Sequence, residues 1–172
     1  MHLTLPYLGG FFDADGSTSL VRFSKLTAKT RIRSVTYAPA ISMSQSDLGF
    51  LESVGKMLDG KVNLSGPAGS ITKHGIRKTR DSYTILWTHK AAVRVGELLL
   101  PHLIIKRDEV NAVVNFHNKW NNYTKGWGRS SALSEEYLAR KQEVIDAGEA
   151  CRELLKSIRL NKNTVMPNAL PA

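Results

Sequence analysis

The sequence has a single cysteine, Cys151, so no disulfide can form within the chain and no cysteine-based zinc site is possible. Its five histidines (His2, His74, His89, His102 and His117) are scattered without ligand spacing, which argues against a structural metal centre. The longest apolar runs, such as LLLPHLII at 98–105, fall short of the roughly 20 residues that a membrane-spanning helix needs. The first residues carry no basic segment, and Asp13 and Asp15 interrupt the apolar stretch that follows, so no secretion signal is expected. Low-complexity segments and internal repeats are also absent. The 172 residues predict one domain.

Acids are missing from two long segments. No Asp or Glu lies between Gly16 and Ser46, where Arg22, Lys25, Lys29, Arg31 and Arg33 stand. None lies between Gly60 and Arg80, where Lys61, Lys73, Arg77 and Lys78 precede Arg80 itself. Six acids gather instead between Glu135 and Glu153. With a formal net charge of +9, acid-free basic segments predict a surface that meets phosphates, because a carboxylate there would repel the backbone it approaches. The basic residues fall in strand and hairpin regions and not on an amphipathic helix, which disfavours a membrane-surface protein.

Hydrophobic periodicity places the elements. Ser34–Ser44 alternates as a half-buried strand, with Val35, Tyr37, Ile41 and Met43 inward and Ser34, Thr36, Ala38, Ala40, Ser42 and Ser44 outward. That outer face is small and polar and suits a large flat partner. Pro39 predicts a bulge or an edge. Residues 61–88 read as a long hairpin, with Val62, Leu64, Tyr83, Ile85 and Trp87 inward and GPAGS and KHG as turn signals. The stretch 17–23 is β-compatible. Helical patterns cover 6–16, 47–58, 90–103, 106–120 and 135–158, with Ser46 or Asp47 and then Ser134 as caps; the tail from 161 is expected to fray. Strand pairs bounded by helices indicate an α+β fold with an antiparallel sheet.

Asp13 and Asp15 lie two apart at the end of the first helix, where a carboxylate opposes the macrodipole unless a cation sits beside it. A divalent metal would be such a cation, and free carbonyls at a helix end are oxygen ligands of the kind Mg²⁺ accepts. A turn whose Asp side chains cap local amides is the alternative reading. Gly9 and Gly10 each weaken the helix by about 1 kcal/mol relative to Ala, and adjacent glycines permit a second backbone to approach closely. Gly16 permits a sharp turn into the following strand.

The segment LGGFFDADG at 8–16 resembles the signature of the LAGLIDADG homing endonucleases at Leu8, Gly10, Phe11, Asp13, Asp15 and Gly16. The order of elements over about residues 3–120 is similar to that family's αββαββα core. The resemblance implies residues 1–120 as an endonuclease core whose antiparallel sheet forms a DNA-binding saddle. It leaves 121–172 as a C-terminal helical extension and tail of the same domain. Asp15 and the carbonyl of Ala14 are implied as ligands of Mg²⁺ or Mn²⁺, with Asp13 structural. Gln45, at a strand-to-helix junction, is implied to position water or metal, with a capping or surface glutamine as the other reading. Lys106 is implied beside the scissile phosphate, with an exposed lysine at a helix start as the other reading.

One motif gives one metal carboxylate, so a homodimer packed through Gly9 and Gly10 on a nearly palindromic site in double-stranded DNA is implied. DNA contacts are expected from Ser19, Arg22, Lys25, Arg31, Arg33, Ser34, Thr36, Ser42, Lys61, Lys73, Arg77, Lys78, Arg80, Ser82 and Thr84, with Arg31 and Arg33 on a loop. The expected setting is intracellular: a bacterial or archaeal cytoplasm, or an organelle that encodes the gene. Two other readings use the same scaffold, an intron maturase that binds RNA and a regulator that binds DNA without cutting it.

Overall fold

The computed structural model describes residues 3–26, 33–72, 75–121 and 134–165, except for the side chains at 25, 26, 33, 34 and 163–165. The chain runs α1 (Leu5–Asp15), β1 (Gly16–Leu26), β2 (Arg33–Gln45), α2 (Leu48–Leu58), β3 (Val62–Gly66), β4 (Ser82–Thr88) and α3 (His89–Leu99). A short 3-10 turn (Leu100–His102), α4 (Arg107–Trp120) and α5 (Glu135–Val165) complete it. This is the expected α+β order. The sheet has four strands in the order β1-β2-β4-β3, and β4 pairs antiparallel with both β2 and β3.

Three helices begin at side-chain caps, two of which, Asp47 and Ser134, the sequence places. Thr4 Oγ1 accepts from the Tyr7 amide at α1, Asp47 Oδ1 from Phe50 at α2, and Ser134 Oγ from Tyr137 at α5. Each satisfies an amide that the first turn leaves without a partner. The last helix is longer than its periodicity suggests, continuing through Val165, so residues 161–165 are helical where fraying is expected.

The chain divides into two compact units, residues 1–18 with 40–107 and residues 19–39 with 108–172. The division does not fall at residue 120: it cuts across β1 and β2 and groups α4 with α5. In the first unit Leu8, Phe12, Ile41, Met43, Leu51, Val54, Ile85 and Trp87 are buried. In the second, Leu20, Val113, Phe116, Cys151 and Leu155 form a core with Tyr37 and Trp120 against it.

Strand phase departs from the pattern in three places. Leu64, read as inward, pairs with Tyr83 in the same register that joins Val62 to Ile85, yet it is exposed, at the last regular pair before a register shift to Gly66. Ala38 and Ala40, read as outward, are buried. Pro39 sits in a strand with neighbours on both sides, yet the β2–β4 register ends at Ala40↔Thr88. The proline therefore lies one residue beyond that ladder, where its missing N–H costs no hydrogen bond to β4.

Candidate active site

The end of α1 is built by two residues that reach it from the segment before α4. Asp13 is buried, with 9% of its surface exposed. Its Oδ2 accepts from the amides of Ile104 (2.7 Å) and Ile105 (3.1 Å), and its Oδ1 from that of Lys106 (2.8 Å). Burial by itself raises the carboxyl pKa, but the three amides and the Lys106 charge together outweigh it, so the group lies below the ordinary 3.8. The Lys106 ammonium returns the contact. Its Nζ donates to the carbonyls of Phe12 (2.9 Å), Ala14 (3.2 Å) and Gly16 (2.7 Å) and lies 5.7 Å from the Phe12 ring centroid.

The cation that the helix terminus calls for is thus present within the chain. A lysine just before α4 would oppose that helix's dipole, and its side chain lies instead at the negative end of α1. Sequence reasoning placed Lys106 at a phosphate and missed this clamp. The signal was available in the unpaired carbonyls that any helix C-terminus leaves.

Asp15 differs from Asp13 in every respect. It is the last residue of α1, it is exposed, and it makes no hydrogen bond or ion pair among the described residues. No group of three or more His, Cys, Asp or Glu is gathered to hold a metal ion among the described residues. The donors on offer are one free carboxylate and the Ala14 carbonyl, which keeps a second lone pair beyond its bond to Lys106. Such a set of hard oxygens fits Mg²⁺ or Mn²⁺, ions bound through one or two carboxylates while most of their water is retained.

Gln45 ends β2, and its Oε1 accepts from the backbone and hydroxyl of Ser46 (2.8 and 3.3 Å), while the cap of α2 is Asp47. It lines a cleft of about 460 Å³ together with Tyr7, Phe11, Asp47 and Phe50. The Phe50 ring lies 4.7 Å from that of Phe11 and 6.2 Å from that of Tyr7.

The two glycines of the motif separate. A Cβ on Gly9 would lie 2.6 Å from the Cβ and carbonyl oxygen of His102, so the close approach read as a second copy is made here by the chain's own 3-10 turn. Gly10 is exposed, with open space around its Cβ position. Gly16 is extended (φ −74°), a conformation open to any residue; what it provides is room, since a Cβ would lie 2.1 Å from the Phe12 ring.

The expected DNA-contacting residues also sort by face. In the first unit Ser42, Ser44, Thr84 and Ser82 alternate with buried Ile41, Met43 and Ile85, and Ser44 bonds Thr84 across the strands at 2.7 Å. Lys61 and Arg80 are exposed, Arg77 Nε donates to Gly69 O, and Lys78 Nζ donates to Ser82 Oγ. In the second unit Thr36 is exposed and Ser19 half-buried. Arg22 shares its strand face with buried Leu20 and lines a cleft with residues of α5, so it belongs to the helix side. Arg31 and Lys73 lie outside the described residues, as do the side chains of Lys25, Arg33 and Ser34. No helix among the described residues is long and apolar enough to cross a membrane.

Residues 8–92 match the model of the LAGLIDADG endonuclease family. Among solved structures, the homing endonuclease I-CvuI, crystallised with the I-CreI target, is 19% identical with a TM-score of 0.53, over 90% of this chain and 93% of that one. The homing endonuclease I-TnaI is 17% identical with a TM-score of 0.56, over 92% and 99%. I-GzeII, a LAGLIDADG homing endonuclease solved with its DNA target, is 16% identical with a TM-score of 0.53, over 99% of this chain and 53% of that one. At these identities the likeness establishes the fold. No curated protein sequence matches the chain. The signature at 8–16, the matched segment that contains it and the α+β element order agree: the chain belongs to the LAGLIDADG endonuclease family.

Proposed function

We propose that the chain is a divalent-metal-dependent endonuclease that cuts both strands of a long, nearly palindromic DNA site as a homodimer. The observation that carries this reading is the unequal treatment of the two motif carboxylates: Asp13 is spent on three backbone amides, while the Asp15 side chain is exposed at the helix end without a partner among the described residues. Among the described residues this carboxylate makes no structural contact, and a phosphodiester backbone would repel it unless a cation intervened.

Asp15 and the Ala14 carbonyl would hold Mg²⁺ or Mn²⁺, which when bound makes water nucleophilic and stabilises the leaving oxygen. Lys106 fixes the Ala14 carbonyl and adds positive charge beside it. With its Oε1 taken by Ser46, Gln45 keeps its amide as a donor for a water or a phosphate oxygen. The small polar residues Ser42, Ser44 and Thr84 of the first unit permit close approach of a duplex, and the exposed Lys61 and Arg80 supply phosphate contacts.

Three arguments support the homodimer. The motif occurs once, so one chain offers one such carboxylate. I-GzeII is about twice as long as this chain, which spans 53% of it. Tyr7, Gly10 and Phe11 leave an accessible, largely apolar side of α1 for a second copy. An intracellular setting goes with a DNA substrate.

The test is cleavage of a selected target duplex with Mg²⁺. Asp15→Asn should bind the target as the parent does and leave it uncut, and scattering should give about twice the chain mass. Undiminished cleavage by this variant would remove Asp15 from the chemistry.

A further inference from the structure

The geometry points to a second phosphate-binding surface on this chain, in a groove of the second unit between β1 and α5, with the sugar-phosphate backbone of a nucleic acid as its ligand. This proposal rests on the endonuclease reading only for the identity of the polyanion. The family match ends at residue 92, so nothing in that match assigns a role to α5.

Two clefts share Arg152. One, of about 420 Å³, is lined by Arg22, Glu149, Arg152 and Glu153; the other, of about 140 Å³, has Ser19, Arg152, Lys156 and Arg159 on its walls. Arg152, Lys156 and Arg159 lie four and three residues apart and so form one stripe, while Cys151 and Leu155 on the neighbouring face are buried. The stripe extends about 10 Å along the helix axis, the reach of a few successive phosphates of one strand.

Charge in the groove is not balanced from within. Glu109, buried in the second unit, is shared by Arg159 (2.9 Å) and Lys162 (3.0 Å). Glu153 is taken by Lys156, and Glu149 accepts from the Tyr37 hydroxyl. Four cations (Arg22, Arg152, Lys156 and Arg159) thus line the two clefts against two carboxylates, Glu149 and Glu153. The side chains of Arg22 and Arg152 make no hydrogen bond or ion pair among the described residues. A guanidinium without a carboxylate is the group best shaped for two-pronged contact with a phosphate.

The experiment measures binding of the full chain to a duplex of arbitrary sequence and to a single-stranded RNA, each between about 50 and 200 mM salt. Arg152→Gln/Lys156→Gln removes two exposed charges, and Arg152→Lys/Lys156→Arg keeps them. Each phosphate contact contributes about 0.9 to the salt slope on duplex DNA, so the glutamine pair should lower the slope by about 1.8 and weaken binding at least about tenfold near 100 mM. The charge-keeping pair should stay near the parent. Loss on the duplex identifies DNA as the source of the phosphates, and loss on RNA alone identifies RNA; either supports the groove. Unchanged slope and affinity on both nucleic acids would overturn it, while metal-dependent cleavage by the parent would still stand. A parent chain that binds neither would overturn both readings.

Discussion

Asp13→Asn separates the structural carboxylate of the motif from the chemical one. The amide keeps one oxygen and presents an NH₂ to an amide donor that now has no acceptor. If its oxygen takes the Oδ2 place, beside Ile104 and Ile105, the Lys106 amide is orphaned; the flipped rotamer orphans two donors. A buried donor left unsatisfied costs about 1–3 kcal/mol, and each remaining bond falls from a charged to a neutral one, a further loss of roughly 1 kcal/mol apiece. Relief of the buried charge offsets part of this. The net expectation is a loss of about 2–3 kcal/mol at neutral pH, seen in urea unfolding as a midpoint lower by about 1 M.

The acid limb gives an independent check. The folded-state pKa of Asp13 lies below its unfolded value. Its contribution is therefore complete above the unfolded pKa of about 3.9 and is lost as pH falls through the folded value. The gap between parent and variant should hold constant from neutrality down to about pH 4 and narrow below it. Equal urea midpoints at neutral pH, or a gap that widens in acid, would refute the clamp.

Asp15→Asn, by contrast, should alter stability by no more than about 0.5 kcal/mol, because the exposed carboxylate makes no contact that folding depends on. Lys106→Met strips an ammonium from three carbonyls, and unfolding should show a loss of about 1–3 kcal/mol; Lys106→Arg should recover part of it. Gly16→Ala drives a methyl into the Phe12 ring and should lower stability by about 1–3 kcal/mol. Gly10→Ala, in open space within a helix, should raise the thermal midpoint of the protomer slightly, by up to about 1 kcal/mol of stability.

Periodicity and capping chemistry act over a few residues, so they are readable along the chain. The caps at Asp47 and Ser134, the alternation that buries Ile41 and Met43, and the hairpin over 61–88 all follow from such local rules. Leu64 shows where those rules stop. It alternates correctly in sequence and pairs in register with Tyr83, yet it is exposed, because burial depends on what covers a face and not on the pattern of one strand. Arg22 shows the same limit: the stretch 17–23 is β-compatible without a clear phase, and the burial of Leu20 in the second unit sets the face that Arg22 takes.

The sequence by itself determined the α+β order, the motif at 8–16, the position of Asp15 at a helix end and the basic, acid-poor segments, because each is a property of neighbours in the chain. Only the tertiary structure decided that Asp13 is bound by amides more than ninety residues away, that Lys106 turns back onto α1, that Gly9 packs on His102, and that Arg22 joins Arg152 in a groove. Those contacts join distant segments, and nothing in local propensity specifies which donor meets which acceptor once the chain has closed on itself.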